Sequence, residues 1–187
     1  MSVTYKFGYV DAAGSELPYQ YKNIWARENT SGPERLVIVP ASGYIDLLSK
    51  LSTVMSAPYF LLYVLQVPRS EVAAGRYQNP EPISRDELIS FLRQFGNLIE
   101  GDGRHHFWMG SADKSSLLVY DRHQAIYAYG QLETFEAVLD GSGLQQTTEV
   151  RFPEPHVHRY NQEFDQQAAD LMDYWQWKQF PLQDSDL

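Results

Sequence analysis

The chain predicts an α+β fold in which a mostly antiparallel sheet of about five to seven strands carries three to four helices. Three observations carry that expectation. Short apolar segments of period two lie within a few residues of one another between 104 and 129, a spacing that antiparallel pairing allows and parallel pairing forbids. At least three other segments repeat their apolar residues at helical spacing. Neither repeats nor a low-complexity linker divides the 187 residues, so one α+β domain spanning 1–187 is expected.

Val3, Tyr5, Phe7 and Tyr9 alternate with Thr4, Lys6 and Gly8, which reads as a first strand with Lys6 on its polar side. Residues 11–34 form a long connection with room for a short strand, and Arg35 to Val39 reads as a strand ended by Pro40. Ser42 is placed to cap a helix whose Tyr44, Leu47, Leu48, Leu51, Val54 and Met55 share a stripe. Tyr59 to Val67, rich in aromatic and branched residues, reads as a central strand buried on both faces.

After a proline-rich connection over 68–83, Ser84 and Glu87 make a capping box for a helix with Leu88, Phe91, Leu92, Phe95, Leu98 and Ile99 on its apolar face. Strands near 104–110, 116–121 and 125–129 follow as a meander, then a short helix through Leu132, Phe135, Val138 and Leu139, and a strand around Thr147 to Phe152. A last helix over about 161–180 and a short acidic tail, 181–187, close the chain. The glycine pairs at 101/103 and 141/143 come after helices, so they read as stop signals rather than phosphate cradles.

Absence of cysteine removes disulfides, thiolate metal sites and a cysteine nucleophile, and fits the cytoplasm. The first ten residues lack the basic and then apolar pattern of a signal peptide. The apolar run from Ala57 to Leu65 is too short to span a bilayer, so no membrane is expected as partner. A net charge of −9 argues against nucleic acid. From Gln131 onward eleven acids face three bases, so almost all of that charge belongs to the last third of the chain.

Two readings of function follow, and a third behind them. On the last helix, Phe164, Ala168, Leu171, Met172 and Trp175 form the inward stripe, leaving Glu163, Asp170 and Asp173 outside with Tyr174 and Trp177 among them. Aromatics rimmed by carboxylates suit the capture of another protein with a basic surface. The leading expectation is therefore a non-catalytic protein-binding module of immunity or inhibitor type, acting on a basic effector and needing no cofactor. The rival is a metal-dependent hydrolase holding a divalent metal with His156 and His158, which an extended segment points to one side, together with Glu154. Asp121, His105, His106, His123 and Asp165 are further candidate ligands for it. Asp121, Arg122 and His123 together read as a polar hairpin tip, in which Asp121 can orient the His123 imidazole. The 13 Tyr and 4 Trp also allow a small-ligand carrier with an aromatic pocket.

Overall fold

In the computed structural model, which describes residues 4–186, the fold is α+β with two sheets. The strands are β1 (Phe7–Val10), β2 (Glu16–Pro18), β3 (Ile24–Glu28), β4 (Arg35–Val39), β5 (Tyr59–Leu65), β6 (Gly75–Gln78), β7 (His105–Ser111), β8 (Leu117–Tyr120), β9 (Ile126–Tyr129), β10 (Gln145–Gln146), β11 (His156–His158) and β12 (Lys178–Phe180). The helices are α1 (Tyr44–Leu51), α2 (Arg85–Gly101), α3 (Leu132–Gly141) and α4 (Asp165–Tyr174). The main sheet runs β10-β3-β4-β9-β8-β7-β5-β6-β12, nine strands against the five to seven expected, and the small one runs β11-β1-β2. Only the β10–β3 pair is parallel among the described residues.

The alternation of side chains along each strand gives the main sheet two different faces. Leu36 and Ile38 of β4, Phe107 and Met109 of β7, Leu118 and Tyr120 of β8, and Ile126 and Ala128 of β9 join one core with the buried faces of all four helices. The capping box is present: the Ser84 hydroxyl accepts from the Glu87 N–H, and the Glu87 carboxylate accepts from the Ser84 N–H. On the other face Val37 and Val39 pack with Phe7, Tyr21 and Ala125, so the small sheet covers only one end of it.

Several elements depart from expectation. Gly43, in the left-handed region at φ 72, takes the N-cap place of α1 in place of Ser42. β5 lies near one end of the main sheet, two strands from its edge at β12, rather than at the centre. β6 forms inside the proline-rich connection, held by Asn79, whose buried amide accepts from the Leu61 N–H and donates to the Glu81 carbonyl. No strand forms over 147–152; only Gln145–Gln146 pairs, alongside β3. The last helix is ten residues long, because Trp175 turns to extended backbone at φ −136 and β12 pairs with β6. Trp177 caps that end, its indole N–H donating to the Leu171 carbonyl at 2.9 Å, one of the carbonyls a helix terminus leaves without a partner. Val3 and Leu187, the outer ends of the first strand and the tail as expected from the sequence, lie outside the described residues.

A buried ion pair joins the two sheets. The Asp102 carboxylate accepts from the Arg104 guanidinium at 2.8 and 3.0 Å and from the Asn161 N–H at 2.9 Å. Asn161 in turn donates its amide to the carbonyls of Tyr5 and Gly101, and Arg104 reaches Asp165 at 2.8 Å. Asp102 is wholly buried and Arg104 is 3% exposed. Removing one member strands the other without water, so Arg104→Met is expected to lower unfolding stability by about 3–5 kcal/mol in denaturant melts. A loss below about 1 kcal/mol would show that the pair is not a structural joint.

Candidate metal centre

β11 pairs antiparallel with β1, setting Phe7 opposite His158 and Tyr9 opposite His156. Two-residue periodicity turns both imidazoles to the side of Phe7. The third ring comes from the main sheet, at the β8–β9 turn. There the Asp121 carboxylate accepts from the backbone N–H groups of His123 and Ala125, both at 2.9 Å, and closes the turn on itself. Its second oxygen lies 2.8 Å from Nδ1 of His123, and the Tyr21 hydroxyl donates to the His123 carbonyl at 2.9 Å.

One ring nitrogen from each of His123, His156 and His158 lies within 4.8 Å of the other two. Phe7, fully buried, sits 5.5 Å from each of the three rings and forms an apolar floor beneath them. Asp121 and the Pro153 carbonyl are acceptors, so Nδ1 of His123 and Nδ1 of His156, at 2.8 and 3.2 Å, carry the protons in these contacts. In the neutral form each of those two rings thus presents an unprotonated Nε2. Burial, reinforced by the nearby His123, Arg122 and His156 and opposed by the Arg122 backbone, lowers the His158 pKa to about 3, leaving that ring neutral at pH 7. Burial pushes the Asp121 carboxyl up, but His123 and the Ala125 N–H outweigh it and hold its pKa below the ordinary value.

Glu154, the expected carboxylate ligand, is exposed and is not part of this cluster; His123 stands where a third ligand is needed. His105 and His106 belong elsewhere. His105 points to the helix face, fully buried against Tyr63, and burial drives its pKa well below the usual value. His106 points to the opposite face and is lowered to about 4, mainly by burial. Neither of these candidate ligands belongs to the three-histidine cluster. Asp165 is engaged by Arg69 and Arg104.

The residues of the expected binding surface are spread over several roles. Glu163 accepts from the Thr4 hydroxyl, Asp170 accepts from Gln166, and Asp173 is exposed. Trp177 is half-buried against Trp175 and Phe91, and Trp175 stacks on Phe91 at 5.0 Å. Tyr174 touches Phe91 and Phe95 while remaining 37% exposed.

Beside His123 the uncovered face of the main sheet forms a trough of about 410 Å³, lined by Arg35, Trp108, Val119, Tyr127 and Asp186 among others. No helix among the described residues is long and apolar enough to cross a membrane. Comparison with protein-family models, with curated proteins and with solved structures finds no match to this chain.

Lys6, expected on the polar side of the first strand, is fully buried. Its ammonium donates to the Ile99 carbonyl at 3.2 Å and lies 4.0 Å above the Tyr120 ring. Burial lowers its pKa from 10.5 to about 7, against the pull of Asp121, Asp102 and Glu100. Between those two values the unfolded chain binds more protons than the folded one, so stability rises with pH across that window. Relative to Lys6→Met, the wild type is expected to gain stability from pH 7 to pH 10 and to hold a constant difference below pH 7. Denaturant melts of both proteins at several pH values check this, and a flat difference would refute a depressed lysine.

Proposed function

We propose that this chain is a metal-dependent hydrolase whose divalent metal is held by His123, His156 and His158. The convergence of three imidazoles within 4.8 Å, drawn from two sheets, is the observation that supports this reading. Tetrahedral zinc sets nitrogen ligands at about 2.0–2.1 Å and hence about 3.3 Å from one another, so the rings need to close by only about 1.5 Å. His156 is exposed on an edge strand, which gives it that freedom.

The surroundings fit the same purpose. Asp121 fixes the tautomer of His123, as carboxylates behind zinc-bound histidines do, and the Pro153 carbonyl orients His156. Three protein ligands leave a fourth position for water or substrate, the pattern that distinguishes catalytic from structural zinc. A metal in such a site supplies Lewis acidity and a nucleophilic hydroxide at neutral pH. The trough, which His123 lines, offers space for a substrate beside one of the three imidazoles.

Metal-free protein titrated with zinc or cobalt(II) is expected to take up about one equivalent per chain, with His158→Ala abolishing uptake. Asp121→Asn is expected to weaken affinity about 10–100-fold. The zinc-loaded protein should hydrolyse an activated ester such as 4-nitrophenyl acetate, and His158→Ala should not. Uptake below about a tenth of an equivalent would end this reading.

A second reading, protein binding through the acidic C-terminal third, draws on the exposed Asp170, Asp173 and Tyr174 along α4. It has lost Trp177 as an anchor, since that side chain packs inward and caps the helix. Its partner would be a basic effector protein. Specific capture at physiological salt, abolished by Asp170→Lys with Asp173→Lys, is its expected signature, and equal capture by both proteins would remove it.

A further inference from the structure

We propose that the trough beside His123 is the substrate-binding subsite of the metal centre and that it takes a small compound with a flat aromatic body and a carbonyl-type head. This rests on the metal-centre reading and adds the class of substrate to it.

The floor follows from strand periodicity. Trp108 of β7, Leu117 and Val119 of β8, and Tyr127 and Tyr129 of β9 all point to the face that the helices leave uncovered. β7, β8 and β9 are consecutive neighbours in the main sheet, so these side chains stand about 5 Å apart in rows and make one continuous bed of rings and branched carbons.

The sides are fixed. Arg35 lies over the Tyr127 ring at 4.3 Å and is tied to Glu28 and to the Tyr129 hydroxyl. Opposite, the buried Asp186 carboxylate grips Arg76 through two bonds of 2.8 Å, and Arg76 covers part of Trp108. Arg35 and Asp186 are thus each paired with an opposite charge on their own side, which leaves the bed between them suited to an apolar guest. A volume near 410 Å³ is within the range of small-molecule sites.

Two features give the trough a direction. His123 and Asp121 line one end, so a head group there lies beside one of the three imidazoles that would hold the metal. The Trp108 indole N–H and Nε2 of His106, both on lining residues, are buried without a protein partner, a cost that a polar group on the guest would relieve.

The test compares benzohydroxamate with acetohydroxamate by calorimetry on the full chain loaded with one zinc. Both probes offer the metal the same head and differ only in phenyl against methyl. Benzohydroxamate is expected to bind at least about tenfold more tightly, from burial of the larger apolar group. Leu117→Trp, which fills the trough, should keep zinc uptake and cut that preference to less than about threefold. Trp108→Ala, which removes the bed, should do the same if the tryptophan variant does not fold. Equal affinity for the two probes with zinc bound, or an undiminished preference in these variants, would overturn the subsite alone. Failure to bind zinc would overturn the metal centre and the subsite with it.

Discussion

The arrangement hangs on the buried pair of Asp102 and Arg104. Asp102 follows the end of α2, Arg104 precedes β7, and the Asn161 backbone bound between them belongs to the segment that leaves β11. One joint therefore sets the angle at which the small sheet meets the main one. Its low exposure means that water offers no substitute partner, so this connection either forms as a whole or leaves charges stranded. Burial lowers the guanidinium pKa, and Asp102 and Asp165 more than restore it, so Arg104 stays charged.

That joint decides where the histidines go. His156 and His158 ride on the small sheet, while His123 is held by Asp121 in a turn of the main sheet. Neither sheet alone contains the site. The same division of the main sheet into a helix-covered face and a partly open face creates the aromatic trough, because the small sheet is too short to cover all of the second face.

Much of this was legible in the chain. The capping box at Ser84, the meander of β7, β8 and β9, and the shared side of His156 and His158 follow from local rules of spacing, and local rules need no knowledge of partners. What escaped was decided at long range. β6 and β12 are short, mostly polar segments that exist as strands because each finds an edge to pair with. Trp175 and Trp177 continue a helical spacing in sequence, yet they serve the Phe91 stack and the helix end. Lys6 looked like a solvent residue because alternation says which side a residue takes, not whether that side is covered. His123 could be named only as one of several further ligands, since nothing between residues 123 and 156 announces that a turn and an edge strand meet.

This meeting has a consequence for the energetics of the whole chain. An ion gripped by His123 together with His156 and His158 would act as a removable cross-link across 32 intervening residues, much as a disulfide would in a chain that has no cysteine. Folding and ion uptake would then be linked equilibria, each drawing the other forward with the free concentration of the cation. The small sheet, held otherwise by the Asp102 joint, the Lys6 and Tyr21 hydrogen bonds and the Phe7 cluster, would be a segment whose protection against local opening depends on ion supply.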